Sequence, residues 1–245
     1  NFVRIASCLD FVMNCLMNCP VMIWFLHGNM GLPGDWGPVS KALQGMGVAS
    51  RSLNLWKLLA CCPKTLTEAG DLIAAEISSQ DHRPVLCGYS LGGRLGLHAV
   101  CRHPELWAGA VFVSTHPGLQ SDDERSIRRA SDAEWAVKCL EIPWNDVMTS
   151  WHEQGVLRGN KREEQPALSS WKRSIARGFV DWSLGMQEDF RQNLRQLEIP
   201  WLWVCGEKDP KFSRLGREVA GDGLVLVPGS GHRVPAEQPI LLADI

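Results

Sequence analysis

No stretch of this chain is both long enough and apolar enough to cross a bilayer as a helix. An excess of charge of either sign is also missing. Twenty-five Lys and Arg face 27 Asp and Glu, for a net charge of −2. That balance offers nucleic acid or an anionic membrane no broad cationic surface, so any affinity for anions has to come from local clusters. Internal repeats and low-complexity segments are lacking. None of the nine cysteines has zinc-ligand spacing: Cys15 and Cys19 are too isolated, and Cys61 and Cys62 are adjacent. A dinucleotide fingerprint is missing too, so no metal and no organic cofactor is implied. Tyrosine occurs once, at Tyr89.

What is present fits an α/β unit. With 245 residues and 45% hydrophobic content, the chain can bury a large core. The cysteine number is odd, and Cys87 and Cys205 sit in apolar runs as small hydrophobes. A reduced, cytoplasmic location is expected. Near the N-terminus, Arg4 precedes an apolar stretch like that of a signal peptide. Asp10, Asn14 and Asn18 interrupt it and no small-residue cleavage site follows, so residues 1–20 are read as a lead-in, an edge strand or hairpin. Buried parallel strands are expected at 21–26, 85–87, 109–114 and 201–205, with a fifth at 223–227. Each is nearly continuous in apolar residues, as when helices cover both sheet faces. Helical patterns lie between them at 38–45, 67–79, 91–101 and 212–220. This alternation predicts a mostly parallel, doubly wound sheet in one domain. From about 117 to 194 the rhythm breaks, and the segment reads as an inserted helical cap. Ser121 and Glu124 have capping-box spacing at the start of a helix that runs to about Leu140, before Pro143. A polar loop is expected at 155–166.

Gly88-Tyr89-Ser90-Leu91-Gly92 follows one such strand and opens a helix. It matches the nucleophile-elbow pattern, in which a sharp strand-to-helix turn presents a serine and tolerates only small neighbours. Asp209 lies just past the strand at 201–205, and His232 lies in the glycine-containing loop after the last strand. The order Ser, acid, His is that of the α/β-hydrolase fold. A glycine turn, a turn-forming Asp and a loop His would each be unremarkable alone; their order and their positions at strand ends favour a triad. In it, His232 takes the Ser90 proton while Asp209 orients and stabilises the imidazole. Glu207 is the reserve acid. An oxyanion hole is expected from the backbone N–H groups of Leu91 and Asn29. His27 is read as structural; His82, His98, His103 and His152 as surface or loop residues; His116 as ending a strand on the active-site side.

A cationic signal accompanies the triad. Arg94 lies one helical turn after Ser90 and can face the pocket. Arg125, Arg128 and Arg129 follow in the expected cap helix, then Lys172, Arg173 and Arg177. Arginine suits bidentate carboxylate binding, so a pocket lined by Arg94, Arg125 and Arg128 implies a substrate with several carboxylates. The competing reading is a solvated helix face, with Asp132 pairing Arg128 or Arg129. Tyr89, beside the nucleophile, is placed to reach the substrate. Trp135, Trp144 and Trp151 are read as packing within the cap.

More extended strings make the resemblance specific. The chain resembles the 2-succinyl-6-hydroxy-2,4-cyclohexadiene-1-carboxylate synthase family of menaquinone biosynthesis from about residue 25 to 239. It does so through Gly88-Tyr89-Ser90-Leu91-Gly92-Gly93-Arg94, His116-Pro117-Gly118-Leu119-Gln120, Glu124-Arg125-Ser126-Ile127-Arg128, Ser131-Asp132 with Trp135, and Gly206-Glu207-Lys208-Asp209-Pro210-Lys211-Phe212. The resemblance implies a lyase. Ser90, His232 and Asp209 would act as a base on the cyclohexene ring, releasing pyruvate. Tyr89, Arg94, Arg128 and Trp151 would contact a tricarboxylate. Arg173 and Arg177 are alternatives for a further family arginine. Two departures stand out: Asn29 replaces a Phe-like residue, and Leu53-Asn54-Leu55-Trp56-Lys57 replaces Asp-Leu-Pro-Gly-His-Gly. An esterase or thioesterase using the same triad is the alternative activity, and a non-catalytic interaction protein on this fold the third reading. The oligomeric state is left open.

Overall fold

A computed structural model describes residues 21–60, 62, 64–155, 157 and 166–245. The N-terminal lead-in and most of the expected 155–166 loop lie outside these residues. Six strands form one sheet: β1 (Met22–Leu26), β2 (Ala49–Leu53), β3 (Val85–Tyr89), β4 (Gly109–Val113), β5 (Trp201–Gly206) and β6 (Leu224–Val227). Their spatial order is β2-β1-β3-β4-β5-β6, and every pairing is parallel. The five expected strands are present, with ends shifted by a residue or two.

β2 was not among the expected strands. Its sequence, Ala-Ser-Arg-Ser-Leu, has no apolar run, because it pairs only with β1 and stays partly exposed. An edge strand need not fill a core on both faces.

Side chains alternate strictly across the sheet. Trp24 and Leu26 of β1, Leu86 of β3, Phe112 of β4, and Trp203 and Cys205 of β5 enter one core. Phe25, Cys87, Val113 and Val204 enter the other. This is the period of two expected of a strand. The second core is closed by Val39 and Leu43 of α1 (Gly37–Gly45) and by Leu242 near the C-terminus. The first is covered by α2 (Leu66–Ser78) and α3 (Leu91–Arg102). The Thr65 hydroxyl accepts from Glu68 N–H at 3.1 Å, and the Glu68 carboxylate accepts from Thr65 N–H at 2.7 Å, a complete capping box at the start of α2.

Between β4 and β5 run α4 (Asp122–Glu141), α5 (Trp144–His152), α6 (Lys172–Asp181) and α7 (Arg191–Gln196). Ala136, Cys139, Val147, Ile175, Phe179 and Trp182 join this segment to the first core. α4 begins where expected, but its cap is simpler: the Ser121 hydroxyl accepts from Glu124 N–H at 3.5 Å. Pro143 both follows α4 and serves as the N-cap residue of α5. After β5 come α8 (Pro210–Ala220), then β6, then the short α9 (Val234–Glu237) and α10 (Pro239–Ala243).

His98 differs from its expected surface position. It is 1% exposed on α3, with its ring edge-on to Phe190 at 4.6 Å. α3 lies between the sheet and α2, and nearly every one of its residues is buried. Burial and the nearby Arg94 and Arg102 hold the His98 imidazole neutral, pushing its pKa down to about 3.

Candidate active site

All the strands end on the same edge of the sheet, and Ser90, Asp209 and His232 follow β3, β5 and β6 there, at the carboxyl ends of the strands. Ser90 directly follows β3 and directly precedes α3. Its backbone has φ 52° and ψ −110°, a conformation that costs a non-glycine residue about 1–3 kcal/mol. The turn is held because Ser90 N–H donates to the Val113 carbonyl at 2.9 Å. Its tightness explains the flanking glycines. A Cβ on Gly88 would lie 2.6 Å from the Gly92 carbonyl oxygen and the Gly93 Cα, and one on Gly92 would collide with the Leu26 carbonyl. Leu91 is the first residue of α3, where a helix presents N–H groups without intrahelical partners.

Asp209 and His232 meet across the ends of β5 and β6. Asp209 is the N-cap of α8: its Oδ1 accepts from Phe212 N–H at 3.1 Å. Its Oδ2 is 2.7 Å from His232 Nδ1. The two residues are 4% and 5% exposed. With Nδ1–H donating to the carboxylate, the other ring nitrogen, Nε2, is left as a proton acceptor. Phe212 packs on the His232 ring at 4.4 Å and Tyr89 at 5.6 Å. Glu207, the reserve acid, turns elsewhere: its Oε2 accepts from Gly229 N–H at 3.0 Å.

On the opposite wall, His27 is fully buried and fixes the turn after β1. Its Nε2 accepts from Leu55 N–H at 3.1 Å, which leaves Nδ1–H to donate to the Gly28 carbonyl at 2.9 Å. Asn29 follows, and its Oδ1 accepts from Met30 N–H at 2.9 Å. Its side chain is therefore engaged within the turn.

The cations are distributed unevenly. Arg94 is 8% exposed, with Nε donating to Gln187 Oε1 at 2.5 Å and Nη2 to the Trp182 carbonyl at 2.6 Å. Both acceptors are neutral. Burial, then the nearby Arg128, lowers its pKa to about 9, opposed in part by Asp132. Arg128 is anchored differently: its Nε lies 2.9 Å from both oxygens of the buried Asp132. The Ser183 hydroxyl donates to the same carboxylate at 2.7 Å. Arg129 donates to the Gly185 carbonyl at 3.1 Å. Arg125 is half-buried on α4. Arg173 is exposed on α6, and Arg177 donates to the Leu59 carbonyl at 2.9 Å. Trp151 packs edge-on to Trp135 at 5.2 Å and to Phe179 at 5.7 Å.

Two residues of this wall were not singled out in the sequence. Lys211, in the first turn of α8, is exposed, and its pKa is lowered by partial desolvation and then by Arg128, with Asp209 opposing. Gln187 links Arg94 to the strand end, since its Nε2 donates to the His116 carbonyl at 2.9 Å. The signal for Lys211 was its place directly after Asp209-Pro210; for Gln187 there was none. His116 is buried, with Nδ1 accepting from Gly118 N–H at 3.1 Å. Burial, then Lys211, Arg94, Arg191 and Arg128, holds it neutral with a pKa near 3. Four cations thus act on this strand end, although burial is the main cause of the shift. Among the described residues no His, Cys, Asp or Glu cluster could hold a metal, and no helix is long and apolar enough to cross a membrane.

Comparison with known proteins agrees with this architecture. The alpha/beta hydrolase family matches residues 25–245. The 2-succinyl-6-hydroxy-2,4-cyclohexadiene-1-carboxylate synthase of Salmonella typhimurium is 32% identical over 229 residues, covering 90% of each chain. The solved structure of MenH from S. aureus has a TM-score of 0.81 at 17% identity, covering 93% of this chain and 92% of its own. A thermophilic esterase from Thermogutta terrifontis has a TM-score of 0.68 at 18% identity, covering 91% and 87%.

Proposed function

The chain belongs to the alpha/beta hydrolase family and, within it, to the 2-succinyl-6-hydroxy-2,4-cyclohexadiene-1-carboxylate synthases, and on that footing we propose that Ser90, His232 and Asp209 are a triad working as a base. The enzyme is a lyase that eliminates pyruvate from 2-succinyl-5-enolpyruvyl-6-hydroxy-3-cyclohexene-1-carboxylate. His232 Nε2 takes the Ser90 proton, and Ser90 Oγ takes a proton from the ring. The electron pair of the broken C–H bond at ring carbon 2 forms the 2,3 double bond, and the pair of the existing 3,4 double bond shifts to 4,5 and expels the group at carbon 5. The C–O bond to the enolpyruvyl group breaks, and the departing enolate takes up a proton to become pyruvate. Asp209 stabilises the imidazolium that forms in between. The N–H groups of Leu91 and Asn29 favour negative charge beside Ser90.

Arg94 carries this reading. A buried guanidinium whose hydrogen-bond acceptors, Gln187 and the Trp182 carbonyl, are both neutral, and on which Asp132 acts only at a distance, is a charge suited to an anion. Arg128 and Lys211 extend the same field, which suits a tricarboxylate and repels nothing in it. Arg128 already has its Nε on Asp132, so its terminal nitrogens remain for a substrate carboxylate. Tyr89 and Trp151 form further walls. Arg125, Arg173 and Arg177 are assigned to the outer approach of the site. An ester hydrolase would use the same strained serine, but gains nothing from a buried cation such as Arg94. The chain is read as one catalytic unit, with residues about 117–194 as its cap, acting on a small molecule in the cytoplasm.

The test is pyruvate release from that substrate by the purified protein, with Ser90→Ala and Arg128→Ala alongside. Release abolished by Ser90→Ala and strongly reduced by Arg128→Ala supports the lyase. No release above the Ser90→Ala background removes it and leaves an acyl hydrolase.

A further inference from the structure

His232 stands on a loop that its own sequence does little to stiffen. Gly229 and Gly231 lie within three residues of it, and Gly229 takes φ 72°. Glycines give a loop conformational freedom that something else must remove. Glu237, at the end of α9, is placed to remove it. One carboxylate oxygen, Oε2, accepts from Gly231 N–H at 2.5 Å and from the Ser230 hydroxyl at 3.4 Å. The other, Oε1, accepts from Arg233 N–H at 2.9 Å. The two N–H groups are those immediately before and after His232. The clamp is itself anchored, since Val234 and Pro235 at the start of α9 are buried and Val234 belongs to the second core.

Lys208 N–H holds the same loop from the turn after β5, donating to the Ser230 carbonyl at 2.8 Å. The loop is also tied to the cap. Arg233, 7% exposed, donates from Nη2 to His152 Nδ1 at 2.6 Å. Arginine has no acceptor, so His152 offers a lone pair there. His152 is the neighbour of Trp151, and Arg233 the neighbour of His232.

We propose that Glu237 is a positioning residue for the elimination: its carboxylate fixes the peptide N–H groups on both sides of His232 and so sets the imidazole against Asp209 and Ser90. This rests on the reading of His232 as the base. A carboxylate is required because two oxygens must both accept. A glutamine has one acceptor oxygen, and its NH2 group would face an N–H donor. Misplacing a general base by about 1 Å can cost about a hundredfold in rate, and the clamp holds the His232 loop rather than the cations assigned to the substrate. The effect therefore falls on kcat rather than KM.

The experiment compares wild type, Glu237→Gln and Glu237→Asp by pyruvate-release kinetics, by amide hydrogen exchange, and by the downfield proton resonance of the His232–Asp209 bond. Asp209→Asn identifies that resonance by its absence. Glu237→Gln is expected to lower kcat by about ten- to a hundredfold with KM within twofold. It should speed exchange at Gly231 and Arg233 selectively and broaden the resonance. Glu237→Asp keeps two acceptor oxygens and should recover part of kcat. Wild-type kcat in Glu237→Gln, or unchanged exchange at both amides, overturns the proposal. If wild type itself releases no pyruvate, the lyase reading falls instead, and the exchange and resonance data decide the clamp on their own.

Discussion

The sheet edge and the segment between β4 and β5 hold the residues of the proposed site by different means. At the sheet edge, position is imposed by backbone. Ser90 is fixed by a strained turn between a strand and a helix, and Asp209 by capping α8. On the cap side, position is imposed through side chains: Asp132 and Ser183 hold Arg128, while Gln187 and the Trp182 carbonyl reach from the cap to hold Arg94 of α3. Chemistry that moves a proton needs sub-ångström placement. Charge recognition acts over longer distances and tolerates a looser frame. The division suggests that substitutions at the edge act on turnover and those in the cap act on binding.

That contrast breaks most directly at Ser90. Ser90→Ala should cut pyruvate release at least about a thousandfold if the proposed triad acts as a unit, and it leaves the backbone strain in place because alanine keeps the Cβ. A residual rate within tenfold of wild type would mean the edge does not carry the chemistry. Next is Arg94→Met. Removing a buried charged donor costs about 2–5 kcal/mol of binding, so kcat/KM should fall about thirtyfold or more, mostly through KM. A pure kcat loss would move Arg94 to the edge's side of the comparison. Smaller again is Asp132→Asn, which loosens Arg128 without deleting it. About a tenfold rise in KM is expected, from weakening a charged hydrogen bond, with little change in kcat.

The last prediction concerns stability. His98 and His116 are buried neutral, each with its pKa pushed down from 6.5 to about 3. Between those values the unfolded chain binds more protons than the folded one. Stability should therefore fall as pH drops below about 6.5 and continue falling towards 3. Melting temperatures across pH 5–8 check this, and His98→Leu should flatten the decline.

How far the sequence revealed the site follows the same division. The elbow was legible because a strained turn needs glycines at fixed spacing, and Gly88 and Gly92 supply them. Asp209 and His232 were legible because they follow strands in order. β2 was not, because an edge strand of Ser, Arg and Ser carries no apolar pattern. His98 was misplaced because a polar residue on a helix looks like a surface residue until both sides of that helix are known to be covered. Gln187 was invisible: its role exists only where α3, the strand end at His116 and the segment after α6 meet. Arg94 was found from one turn of helix spacing, but its neutral partners, which carry the functional argument, are tertiary.

The most direct test of the central claim is to offer the same enzyme both chemistries and compare kcat/KM for pyruvate release from the enolpyruvyl tricarboxylate with kcat/KM for hydrolysis of an uncharged p-nitrophenyl ester. If the proposed substrate cations Arg94, Arg128 and Lys211 serve Ser90, the enzyme should favour the tricarboxylate by at least about a thousandfold, the scale of two lost charged contacts. A ratio near one, or in favour of the ester, would contradict the account.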